Sequence, residues 1–106
     1  MITFEERAPT AAEQRAVAES VGWDYHFDWA SLPASLAGSL HGVVALDGDR
    51  VVGVGRLVGD GVRYWYVQDV MVRPDASEQG IASTIVERLI AQVRAHAPAE
   101  AIVGLF

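Results

Sequence analysis

The sequence predicts an α/β (α+β) domain, a mixed, mostly antiparallel sheet with helices on both faces, in the order β-α-α-β-β-β-α-β. Three observations lead there. Two tight turns, Asp47-Gly48-Asp49 and Gly59-Asp60-Gly61, separate three apolar runs, which makes those runs an antiparallel meander. One long stretch, 79–97, carries its apolar residues at helical spacing. A last apolar run, 101–106, follows that helix, and a strand–helix–strand unit closes right-handed with its two strands parallel.

In chain order, residues 2–7 alternate Ile2 and Phe4 with Thr3 and Glu5, a short strand. A helix opens at Pro9-Thr10-Ala11-Ala12-Glu13, where Thr10 caps the free amides and Glu13 reaches back. Ala16, Val17 and Val21 form its apolar face and Gly22 stops it. A weaker helix over 31–37 tolerates Pro33 in its first turn. Strands follow at 40–46, 50–58 and 62–72, the third apolar enough to be expected at the centre of the sheet. In the long helix Ile81, Ile85, Leu89 and Val93 make one stripe, opposite Thr84, Glu87, Arg88, Gln92 and Arg94. Pro98 ends it.

The 106 residues make one domain, 1–106, with room for a modest core. A formal charge of −6 argues against nucleic acid as the partner and suits a cationic or amine ligand. With no cysteine, disulfides, thiolate metal sites and cysteine nucleophiles are excluded. His26, His41 and His96 lack metal-ligand spacing, so no metal is expected. The N-terminus lacks a basic-then-apolar leader and no apolar run approaches the ~20 residues of a membrane span. The expectation is a cytoplasmic protein without membrane contact.

The chemistry concentrates at Val70-Met71-Val72-Arg73-Pro74, then Asp75-Ala76-Ser77-Glu78-Gln79-Gly80-Ile81-Ala82-Ser83. Physically this is a buried strand, a short loop and a helix N-terminus, whose unpartnered amides and partial positive charge welcome an anion. Gly80 and Ala82 let such an anion approach the backbone; the alternative is that Gly80 only relieves crowding between helix and strand.

Val72-Arg73-Pro74, five residues, then Gly80-Ile81-Ala82 resembles the signature of the GNAT superfamily of N-acetyltransferases, a V-x-P followed by a Q/R-x-x-G-x-G/A loop. The order of elements is similar too, so the fold expected is GNAT-like over nearly the whole chain. The resemblance implies transfer of an acetyl group from acetyl-CoA to a primary amine of a small molecule or peptide. It implies that backbone groups of Val70, Met71 and Val72 meet the acetyl and pantetheine arm. It assigns the pyrophosphate to the amides of Ser77, Glu78, Gln79, Gly80, Ile81, Ala82 and Ser83. Ser77 replaces the Gln or Arg of the signature and Glu78 an often-glycine position, which predicts weakened CoA affinity. The C-terminal part of the family fold is missing after the fifth strand, and with it the tyrosine that often protonates the departing thiolate. The other reading is therefore a catalytically silent GNAT-like module that binds acyl-CoA or a protein. An apolar last strand without a following partner also predicts a homodimer.

Three further features have two readings each. Asp69, in an apolar strand, either deprotonates the amine or is bonded to nearby groups without a catalytic role. Trp23 and Trp29, with Tyr25, Phe27, Asp24, His26 and Asp28 around them, either line the amine pocket or pack beneath a loop. Gly53 and Gly55 mark a bulge or clear room for a ligand above the sheet, and with Gly59 their spacing is not a dinucleotide fingerprint.

Overall fold

The computed structural model describes residues 1–105. Its elements are β1 (Ile2–Glu5), α1 (Ala11–Val21), α2 (Leu32–Ala37), β2 (His41–Asp47), β3 (Arg50–Gly59), β4 (Tyr64–Val72), α3 (Ile81–His96) and β5 (Ile102–Leu105). Short 3-10 turns at Asp24–His26 and Pro74–Gln79 precede α2 and α3. The order matches the one read from the sequence. Phe106, the last residue of the run expected as a strand, lies outside the described residues.

The five strands lie in sequence order, β1-β2-β3-β4-β5. The first three pairings are antiparallel, and α3 crosses over to lay β5 parallel to β4. The centre of the sheet is β3 and not β4. Its residues from Val51 to Leu57 are all buried, whereas β4 is buried chiefly at Trp65, Val67 and Met71. The aromatic richness of β4 suggested the centre, but a strand beside a half-exposed edge buries only alternate residues. In β5 Ile102, Val103 and Leu105 are exposed.

Helices cover both faces. On one, Ile81, Ile85, Leu89 and Val93 of α3 pack against Val43, Ala45, Val52, Leu57, Trp65 and Val67. On the other, Val17 and Ala18 of α1 meet Val44, Val51, Val54 and Met71. Gly53 and Gly55 let α3 come this close: a Cβ on Gly55 would stand 2.6 Å from Ile85 Cγ2. The space beside these glycines belongs to α3 and not to a ligand, and Gly55 stands opposite the break in the β3–β4 register between Val54 and Arg56.

That break positions the site. Val54 pairs with Met71 but Arg56 with Gln68, so β4 carries one extra residue. Asp69 absorbs it at φ 58, left-handed backbone that non-glycine residues rarely adopt. Because strand side chains alternate with period two, the extra residue exchanges the faces. Trp65 and Val67 point toward α3, and beyond the bulge Met71 points toward α1.

Candidate functional site

Two features meet at the C-terminal half of β4. The first is the junction into α3. Arg73 anchors its start, donating its backbone N–H to Val52 O at 2.8 Å and its Nε to Val51 O at 2.6 Å. The 3-10 turn then buries Ala76 and delivers Gly80 at φ 68. The first helical bond of α3 is Thr84 N–H to Gly80 O, 3.1 Å. The amides of Ile81, Ala82 and Ser83 precede it, and no side chain caps them. Ser77 does not serve as a cap, because its hydroxyl donates back to Pro74 O at 2.9 Å. Glu78 and Gln79 are exposed on the turn, and nothing lies within 4 Å of where a Cβ on Gly80 would stand. An open, uncapped helix start is what an anion needs. A shallow depression of about 400 Å³ continues along Ala82, Ser83, Val86 and Glu87.

Just before this junction the edge of β4 opens. β5 pairs with β4 only from Tyr64 to Val67, and among the described residues no strand lies beside Gln68–Val72 on that edge. Val70 and Val72 are half-buried and Met71 is buried at 3% exposure. Peptide groups along an unpaired edge are available to an extended ligand.

The second feature is a cavity of about 290 Å³. Trp23, His26 and Phe27 line it from the segment between α1 and α2, and Gln68, Asp69 and Val70 line it from the bulge. Of the two tryptophans singled out in the sequence, Trp23 faces this cavity. Trp29 stands behind it: its ring lies 5.3 Å from that of Phe27, with the Arg15 guanidinium 5.0 Å above it. The imidazole of His26 stacks on Tyr25 at 4.3 Å and meets Trp23 edge-on at 5.9 Å.

Asp69 joins the cavity to the interior. Its Oδ2 accepts from Arg56 Nε at 2.9 Å and from Gln14 Nε2 at 3.2 Å. Arg56 is buried, and its remaining donors reach Ser35 O, Ser35 Oγ and Ser39 Oγ at 3.0–3.3 Å. One guanidinium thus ties β3, the bulge of β4 and the end of α2 together. Arg56 and Gln14 were not singled out from the sequence as site residues, and His26 was noted only among the residues around Trp23 and Trp29. Arg56 did leave a signal there, since a charge inside an apolar strand needs a buried partner.

Among the described residues no three His, Cys, Asp or Glu side chains are grouped to hold a metal ion, and no helix is long and apolar enough to cross a membrane.

The model of the acetyltransferase (GNAT) family matches residues 4–105. Among solved structures, a GNAT-family acetyltransferase from Streptococcus pneumoniae shares 34% identity at a TM-score of 0.82, covering 100% of this chain and 75% of that one. A protein of unknown function from meticillin-resistant Staphylococcus aureus, described as a probable acetyltransferase, superposes with a TM-score of 0.90 at 24% identity, covering 100% and 79%. An aminoglycoside acetyltransferase from an uncultured soil sample gives 0.70 at 15% identity, also covering 100% and 79%. The last two are likenesses of fold. No curated protein matches the chain significantly.

Proposed function

The chain belongs to the acetyltransferase (GNAT) family, and from that premise we propose that it transfers an acetyl group from acetyl-CoA to a primary amine of a small molecule or peptide. The observation that carries this reading is the adjacency of an uncapped helix start, an open strand edge and an aromatic–acidic cavity around one bulge.

In this reading the pyrophosphate lies against the amides of Gly80, Ile81, Ala82 and Ser83, with the turn residues Ser77, Glu78 and Gln79 beside it. The pantetheine arm runs along the open edge at Val70, Met71 and Val72, whose peptide groups orient the thioester and polarise its carbonyl. The acceptor enters the cavity, where Trp23 and the Asp69 carboxylate attract an ammonium group. Trp29 backs Phe27 and stiffens that wall. Fixing both reactants at one bulge supplies most of the catalysis, because the attack itself is simple addition and elimination at a thioester.

One observation favours the second reading, a silent acyl-CoA-binding or protein-interaction module. The turn before α3 brings no cation to the phosphates: Ser77 is bonded to its own turn and Glu78 is negative. A thiol-release assay with acetyl-CoA over a panel of primary amines separates the two. Amine-dependent release of CoA supports transfer. Acetyl-CoA binding without release for any amine leaves the silent module.

A further inference from the structure

The cavity holds two groups able to handle a proton, and they are differently engaged. Asp69 is bonded through Oδ2 to a buried guanidinium and to the Gln14 amide. A carboxylate that already accepts from a guanidinium is better suited to attract a cation than to remove its proton. His26, on the opposite wall, has no hydrogen bond to its ring among the described residues, and that ring stacks on Tyr25 and meets Trp23 edge-on. Its ring nitrogens are therefore open to a ligand. An imidazole is also the side chain whose charge changes nearest neutral pH, which is what a general base requires.

We infer that His26 is the proton acceptor of the transfer and that Asp69 is the anchor for the substrate ammonium. This rests on the acetyl-transfer reading above. The ammonium gives one proton to the free ring nitrogen of His26, and the amine lone pair then adds to the thioester carbonyl carbon. As the tetrahedral adduct collapses, the carbon–sulfur bond breaks and the electron pair leaves on sulfur. The second nitrogen-bound proton passes to that thiolate, and the imidazolium returns its proton to water. The charged and titratable groups near the ring are Asp24 and Tyr25 on its own turn and Asp69 across the cavity. On α1, which packs against that turn, Arg15 pairs with Glu19 and covers Trp29.

His26 is exposed, so His26→Gln leaves the fold intact, and His96→Gln at the far end of α3 is the matched control. The experiment follows kcat/KM for the best amine of the panel from pH 5 to 9, with acetyl-CoA affinity measured in parallel. His26→Gln is expected to lower kcat by roughly 10²-fold and to abolish the low-pH limb. Acetyl-CoA affinity should be unchanged, and His96→Gln should behave as the parent. Asp69→Asn should instead raise KM for the amine while the low-pH limb remains. A His26→Gln variant with the parent's rate and pH profile overturns the role of His26 alone. Failure of the parent to turn over any amine overturns acetyl transfer itself, and the role of His26 with it.

Discussion

Asp69 sits at φ 58 in the middle of a strand, in a backbone region that costs a non-glycine residue roughly 1–2 kcal/mol. The strain persists because its side chain is held from two sides, by Arg56 and by Gln14. Removing the guanidinium would leave the carboxylate without its buried partner, and the donors to Ser35 and Ser39 would go with it. Arg56→Ala is expected to lower the unfolding free energy by about 3 kcal/mol, as breaking a buried pair does. Urea denaturation checks this, and a loss below about 1 kcal/mol would mean that solvent, not the pair, carries the bulge. Asp69 was noticed in the sequence as a charge in an apolar strand, and Arg56 is another such charge. Their pairing was not visible there, because it depends on an extra residue in β4 that no composition or period reveals. For the same reason Asp69 could be noticed as a candidate base while the bonds that occupy it stayed hidden.

At the scale of elements, local chemistry was legible where it is written in adjacent residues. The capping box at the start of α1 is one case: Thr10 Oγ1 accepts from Glu13 N–H at 3.1 Å, and Glu13 Oε1 accepts from Thr10 N–H at 2.9 Å. Gly22 ends that helix in the left-handed conformation, and Gly48 turns the β2–β3 hairpin. The junction at Gly80 was equally legible, since its turn, glycine and helix start are contiguous. What Gly53 and Gly55 accommodate was not, because the side chains of α3 above them come from thirty residues downstream. Glu13 also gives a pH dependence. Hydrogen bonds from Arg7 hold its carboxyl below the ordinary glutamate value of 4.5, against the opposing effect of burial. A folded-state pKa below the unfolded one contributes stability that is full above that range and is lost as the pH falls through it. Glu13→Gln should therefore lower the melting temperature at pH 7 and flatten its decline between pH 5 and 3. An unchanged acid slope would show that the ion pair adds nothing in solution. Glu6 works in the same direction. Burial alone would raise it, but hydrogen bonds with His41 and from Arg88 outweigh that and keep it low.

The whole molecule is two half-cores separated by one sheet, and the bulge in β4 is where both reach the surface. Toward α3 it feeds the uncapped helix start; toward α1 it opens the cavity of Trp23, His26 and Asp69. In the proposed reading, acetyl-CoA binds at the first of these. Titration calorimetry with acetyl-CoA, run on the parent chain and on Gly80→Glu, tests it most directly. A side chain at Gly80 meets open space, so the fold should survive with only the cost of its left-handed backbone, and the far-UV circular dichroism spectrum should not change. The carboxylate would stand beside the amides proposed to receive the pyrophosphate. Saturable binding by the parent is expected, and none by Gly80→Glu at the same concentrations. Equal affinity in both, or no heat from the parent, would contradict it.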